Sequence, residues 1–224
     1  MWVSGGSTNL FLIDSDGNTL DHRTDEQNLS PGSHTEIYCS QLSGDMLVLM
    51  KKYIPSPPVD DVEAKIVRFN GLEETQTVQF DAKGNNLYID PECITENRNG
   101  DIIVFDLIHD ILLGPSSRLV VTDQNGSNRF TYYGSKNDPR LKLEATDICT
   151  DALSNILIAN QSSSTVHMID KDGIFLCLLL TTEHGIRGPW GMSYDEKSHR
   201  LWVGSIEDNR LCVYRYIERQ NHFS

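Results

Sequence analysis

Residues 164–180 read STVHMIDKDGIFLCLLL, two apolar runs held apart by four turn-forming residues. Val166, Met168 and Asp170 alternate onto one side of a strand, and Asp170-Lys-Asp-Gly173 supplies a tight turn in which Gly173 is free to take positive φ. Phe175 then opens the return strand, so the stretch reads as a β-hairpin. The same strand and turn recur at Leu10, Leu12 and Asp14-Ser-Asp-Gly17, and at Leu119, Val121 and Asp123-Gln-Asn-Gly126, each with Asp three residues before Gly. Upstream of the turn, Ile94 to Asp106 aligns without a gap on Ile148 to Asn160. The hairpin is therefore one part of a longer repeated unit.

Five copies of that unit can be traced, each as short alternating strands with turn signals between them. The first covers residues 1 to about 27 and begins at Trp2-Val3-Ser4, in what would be its second strand. The second, about 34 to 88, is the most degenerate: Ile54-Pro-Ser-Pro-Pro58 interrupts it, and prolines cannot join a central ladder. The third covers 90–138, the fourth 144–185 and the fifth 188–218. Equivalent positions recur after 54 residues, from Ile94 to Ile148, and after 44, from Ile148 to Met192. Several strands per unit at that period mark a propeller blade, and Ile94, Ile148 and Met192 are the expected core positions. The fold class is all-β, a β-propeller with about five recognisable blades. The first copy lacks an inner strand and the last lacks an outer one, so the termini do not complete one blade and an incomplete or open ring is expected.

At 224 residues the chain is long enough for one all-β domain, assigned to 1–218 with a tail at 219–224. There is no apolar run of membrane-spanning length, and Met1-Trp-Val-Ser-Gly5 does not open like a signal peptide. A soluble, cytoplasmic protein is expected, with no membrane partner. Nineteen basic against 32 acidic residues leave a net charge of −13, which repels nucleic-acid backbones, so DNA is excluded and RNA disfavoured. Five cysteines, at 39, 93, 149, 177 and 212, show no Cys-x-x-Cys spacing and read as small core-packing thiols.

The order apolar residue, Asp or Asn, Gly, a strand ending in Asp or Asn, then a strand followed by Asp-x-x-Gly resembles the NHL repeat. The last two copies, from Asp147-Ile-Cys-Thr-Asp151 to Val213-Tyr-Arg-Tyr216, are similar to the C-terminal end of tripartite-motif NHL proteins, best over 90–217. The resemblance implies a propeller, usually six-bladed in that family, acting as the recognition module of an E3 ubiquitin ligase. The ligase's RING, B-boxes and coiled coil would lie upstream, and this chain shows neither clustered Cys/His ligands nor sustained heptads. It is therefore expected to be a fragment, a degenerate product or an open ring. It is also expected to be no enzyme, with no cofactor and no metal, recognising a protein partner; the family's RNA-binding role is the alternative.

Loops leading into each innermost strand and loops between second and third strands share one propeller face, where recognition usually sits. That face is expected to carry Arg187, Trp190, Asn160, Ser162, Glu207, Asp208, Asn209, Arg210, His109 and Asp110, with Trp190 and Arg210 as anchors. No motif for catalysis is present: no His-x-His, His-Glu-x-x-His, Gly-x-Ser-x-Gly or phosphate loop. The Asp-x-x-Gly carboxylates read as turn caps, because calcium needs six to eight converging oxygens. One acidic set stands apart. Glu36, Glu92 and Asp147 each lie just before an innermost strand and are placed to converge at the channel mouth, where they read as solvated acids; the alternative is a lactonase-like propeller hydrolase, which would hold a divalent cation with such a ring.

Overall fold

The computed structural model describes residues 2–4, 9–13, 19–24, 35–55, 61–71, 73–110, 114–134 and 142–217. They form five antiparallel sheets in chain order, one for each repeat copy, joined by local connections. The first holds β1 (Trp2–Ser4), β2 (Asn9–Ile13) and β3 (Thr19–Thr24). The second holds β4 (Thr35–Cys39), β5 (Met46–Ile54), β6 (Asp61–Asn70) and β7 (Glu73–Val78). The third holds β8 (Asp90–Glu96), β9 (Ile102–Asp110), β10 (Gly114–Thr122) and β11 (Asn128–Tyr132). The fourth holds β12 (Ala145–Thr150), β13 (Ile156–Asn160), β14 (Thr165–Ile169) and β15 (Phe175–Leu180), and the fifth β16 (Pro189–Asp195), β17 (Arg200–Ser205) and β18 (Arg210–Tyr214). A single 3₁₀ turn, Thr182–His184, is the only helical element among the described residues.

The period-2 alternation decides what each sheet touches. On β9, Ile102 and Val104 pack toward the second sheet with Leu47, Leu49 and Ile66, while Ile103 and Phe105 pack toward the fourth with Ile148, Ile156 and Ile158. The central strands are thus buried on both faces, which is why β13 reads as an uninterrupted apolar run. Ile94 and Ile148 are buried as the repeat predicts, and Met192 is half-buried against the cluster of Leu157, Leu201 and Val203. Cys93 is buried, but Cys39, expected in a core, is exposed because it ends β4 beside the turn at 40–43.

The second copy, the least regular in sequence, forms a full four-stranded sheet. Its prolines lie in the connection between β5 and β6, whose register runs unbroken to Ile54 opposite Asp61, so the ladder never has to include them. Strand β1 packs on β4, the innermost strand of the second sheet. Among the described residues no strand of the first sheet packs broadly on the fifth, and the ring is open.

The Asp-x-x-Gly turns are capped by their own carboxylates: Asp123 Oδ1 accepts from the amides of Asn125 and Ser127, and Asp170 Oδ1 from those of Asp172 and Ile174. The turn at Asp14 lies outside the described residues. Each glycine also fits the neighbouring sheet. Gly126 has φ +84° and a Cβ there would sit 2.9 Å from Val78; Gly173 has φ +86° and its Cβ would sit 2.7 Å from the Phe130 ring. Gly173→Ala is expected to cost about 1–3 kcal/mol in urea unfolding, from positive φ and displacement of Phe130. An unchanged midpoint would show that this inter-sheet contact is soft.

Candidate active site

The four innermost strands β4, β8, β12 and β16 stand side by side and enclose an open cleft of about 720 Å³. All four leave the same end of the channel, so the residues at their starts meet there. Glu36 begins β4, Glu92 and Cys93 follow the start of β8, and Asp147 lies early in β12. Bulges between Pro91 and Cys93, Ala145 and Asp147, and Pro189 and Gly191 loosen the pairing at that end and re-aim the side chains. Glu36, Glu92 and Asp147 do converge: the negative charges of Asp147 and Glu92 both bear on Glu36.

Glu36 differs from the other two. Its Oε2 is buried and has no hydrogen-bond partner, and it lines the cleft. Burial, the dominant cause, pushes its carboxyl up to about 7; the adjacent Cys93 thiol opposes this and the charges of Asp147 and Glu92 reinforce it. Asp147 is held in place. Its Oδ1 accepts from the Ile148 amide at 2.8 Å and the Cys93 thiol at 3.3 Å, and its Oδ2 from the Met192 amide at 2.5 Å. Burial raises its pKa despite these donors, and burial likewise drives the Cys93 thiol up, so Cys93 stays protonated.

Glu92 is tied to Lys51, a residue that sequence reasoning missed. Lys51 lies on β5 with its side chain 1% exposed, and its ammonium reaches Asp90 at 2.8 Å and Glu92 at 2.6 Å. Burial alone would lower its pKa, but the two hydrogen-bonded carboxylates more than offset this and raise it, so Lys51 is a fixed cation. The signal was Lys51, on the strand directly after the apolar run Met46–Met50 and followed by Lys52, still inside a central strand. Such a position demands a partner.

This donor set does not fit a divalent cation. Both oxygens of Asp147 already accept amide hydrogens, and Glu92 is held by an ammonium that supplies the positive charge itself. No group of three or more His, Cys, Asp or Glu suited to a metal occurs among the described residues.

At the opposite end of the channel, Ser40 Oγ and Arg68 Nη2 both donate to Glu96, and Thr150 Oγ1 donates to its carbonyl. Arg98, after β8, grips Glu196, after β16, through Nε at 3.0 Å and Nη2 at 2.6 Å. This pair joins the third and fifth sheets past the fourth.

Of the residues expected on a recognition face, Trp190 (54% exposed), Arg187, Glu207, Asn209 and Arg210 are exposed and Asp208 half-buried. They cluster because the Arg187 amide bonds Ser205 Oγ and Gly188 packs against Glu207. Ser162 is exposed nearby, its hydroxyl donating to Asn160. Asn160 itself is a correction. It is fully buried, its amide donating to the Lys142 carbonyl at 2.6 Å and contacting His167, so it ties β13 to the connection before β12 and is closed to any partner. The side chains of His109 and Asp110 lie outside the described part of the structure.

No protein-family model matches the chain, the NHL repeat's included, and no curated protein matches it in sequence. Solved structures do match. Virginiamycin B lyase from Staphylococcus aureus superposes with a TM-score of 0.57 at 13% identity over 98% of this chain and 67% of its own. Hydrazine synthase from Kuenenia stuttgartiensis gives 0.65 at 8% identity, covering 93% of this chain and 65% of its own. A gluconolactonase from Xanthomonas campestris gives 0.51 at 13%, covering 88% and 62%. The chain is a β-propeller. These likenesses establish the fold alone, and this chain spans about two thirds of each. They also overturn the expectation of a chain that is no enzyme: the folds it shares include a lyase and a lactonase, and none of those named is a ubiquitin-ligase module. No helix among the described residues is long and apolar enough to cross a membrane.

Proposed function

We propose that this propeller is a hydrolase of the lactonase kind, opening a small cyclic ester in the channel with Glu36 as general base and no metal. One observation carries the reading: a carboxyl group whose buried Oε2 has no partner, raised to about 7, facing a cleft large enough for a small ligand. A base poised near the working pH is half ready to accept a proton and half ready to return one. The ionised carboxylate takes a proton from water as the water oxygen attacks the ester carbonyl. The ring C–O bond then breaks, and the proton passes from Glu36 to the departing alkoxide. Asp147, anchored by two amides, holds the Cys93 thiol beside Glu36, while Lys51 pairs with both Asp90 and Glu92. The lyase and gluconolactonase among the matching folds support the reaction class without deciding it.

The test is turnover of a panel of five- and six-membered lactones, gluconolactone among them, in chelator-treated buffer between about pH 5 and pH 9. We expect kcat/KM to rise with pH and level off above about 7, as the free enzyme's Glu36 ionises. No turnover of any lactone, or activity only with added divalent cation, would overturn the proposal.

Protein recognition remains a second reading of a different surface, favoured by the exposed Trp190 beside the 206–210 turn. It is the part of the tripartite-motif resemblance that an enzymatic channel does not compete with. RNA is opposed by the charge of −13.

A further inference from the structure

Which lactones the channel admits can be read from its cations. Four lie in or against its wall, Lys51, Arg68, Arg98 and Lys197, and each is already engaged. Lys51 is clamped between Asp90 and Glu92 with its side chain 1% exposed, Arg98 spends its guanidinium fork on Glu196, and Lys197 also has a partner. The residues lining the cleft include five carboxylates, Glu36, Glu96, Asp147, Asp195 and Glu196, against the two cations Arg98 and Lys197. Five against two leaves three negative charges in excess once Glu36 is ionised, and two when Arg68, outside that lining, is set against Glu96. An exposed pair such as Arg98–Glu196 is individually weak, so it does not decide the matter alone. The decisive point is the sum: an anion entering either mouth finds no uncommitted donor cation and meets a field that low-dielectric walls focus against it.

We infer that the channel is selective for uncharged substrates, and that Glu196, whose carboxylate adds to the negative excess of the lining beside Arg98, is a specificity-determining residue that helps keep phosphorylated or carboxylated lactones out. The inference rests on the lactonase reading for the word lactone, but not for the charge selection. Thr150 and Ser193 also line the cleft and offer uncharged polar groups to such a compound.

Binding separates this from catalysis. The probes are gluconolactam, an uncharged ring that cannot be hydrolysed as an ester, and its 6-phosphate, titrated by calorimetry at about 20 mM and about 0.5 M salt. We expect the phosphorylated lactam to bind at least about tenfold more weakly at low salt, with the gap narrowing at high salt as repulsion is screened. Glu196→Gln, at an exposed side chain where misfolding is not at issue, should raise affinity for the phosphorylated lactam and leave that for the uncharged one unchanged. If the uncharged lactam binds selectively while no lactone is turned over, the charge inference holds and the hydrolase reading fails. Equal or tighter binding of the phosphorylated lactam, binding of neither, or a Glu196→Gln variant with unaltered preference overturns the inference.

Discussion

Replacing Arg118 with Met lowers the stability of the fold by about 3–5 kcal/mol, the loss expected when one member of a buried ion pair is removed and the other is left behind. Asp106 is fully buried on β9. Its carboxylate accepts from Arg118 Nε at 2.8 Å and from the amides of Ile89 and Asp90 at 3.0 and 2.7 Å, while Arg118 Nη2 reaches the Leu87 carbonyl at 2.9 Å. The pair thus fixes the chain leading into β8, the strand that delivers Glu92 and Cys93. Burial raises the Asp106 pKa above its ordinary value, and Arg118 is what opposes that rise. A raised carboxyl favours the folded state fully below its unfolded pKa and loses that contribution as pH rises through the folded one. The deficit in Arg118→Met should therefore shrink on acidification, when Asp106 protonates. Urea unfolding at neutral and mildly acidic pH measures both, and Arg118→Met combined with Asp106→Leu should recover most of the loss. A deficit below about 1 kcal/mol would mean the pair is solvated and does not set this part of the site.

That ion pair illustrates what could be read in advance and what could not. The five copies were legible because strand period, turn chemistry and spacing all repeat, and local signals of that kind survive folding unchanged. The convergence of Glu36, Glu92 and Asp147 was legible for the same reason: each lies at the entry to an innermost strand, within a residue of the same repeat position, and such positions meet wherever repeats pack around an axis. Partners across sheets were not. Nothing in the sequence links Lys51 to Asp90, 39 residues away, or Arg98 to Glu196, 98 away, because such pairs depend on the rotation between blades. Asn160 was misplaced by a single step. It was taken as the first residue of an exposed loop, whereas it is the last of β13, and the 142–143 backbone supplies the acceptor that draws it inward. The three acids were also expected to be solvated; that holds for Glu92, which is exposed beside Lys51, but Asp147 is held by the amides of Ile148 and Met192, and of the three only Glu36 has a buried oxygen without a partner.

Glu36→Gln is expected to lower kcat/KM for lactone opening about 10²- to 10⁴-fold, the usual contribution of a positioned general base, equivalent to about 3–5 kcal/mol of transition-state stabilisation. The amide keeps the shape of the carboxyl but cannot take a proton, so the pH dependence near 7 should disappear along with the rate. Stability should move the other way. With a folded pKa of about 7 above an ordinary 4.5, Glu36 favours the folded state below pH 4.5 and loses that advantage as pH rises through 7. At pH 8 the native protein carries this charge in a partly buried place, at a cost on the order of 1–2 kcal/mol once solvent screening is allowed for. Gln carries no charge, so the variant should unfold at higher urea than wild type at pH 8 and at nearly the same urea below about pH 5. Loss of activity with gain of stability is what separates a catalytic carboxyl from a structural one, since removing a structural group lowers both. If Glu36→Gln keeps its rate, or unfolds more easily at pH 8, the free oxygen at the channel mouth is not the base and the enzymatic reading loses its centre.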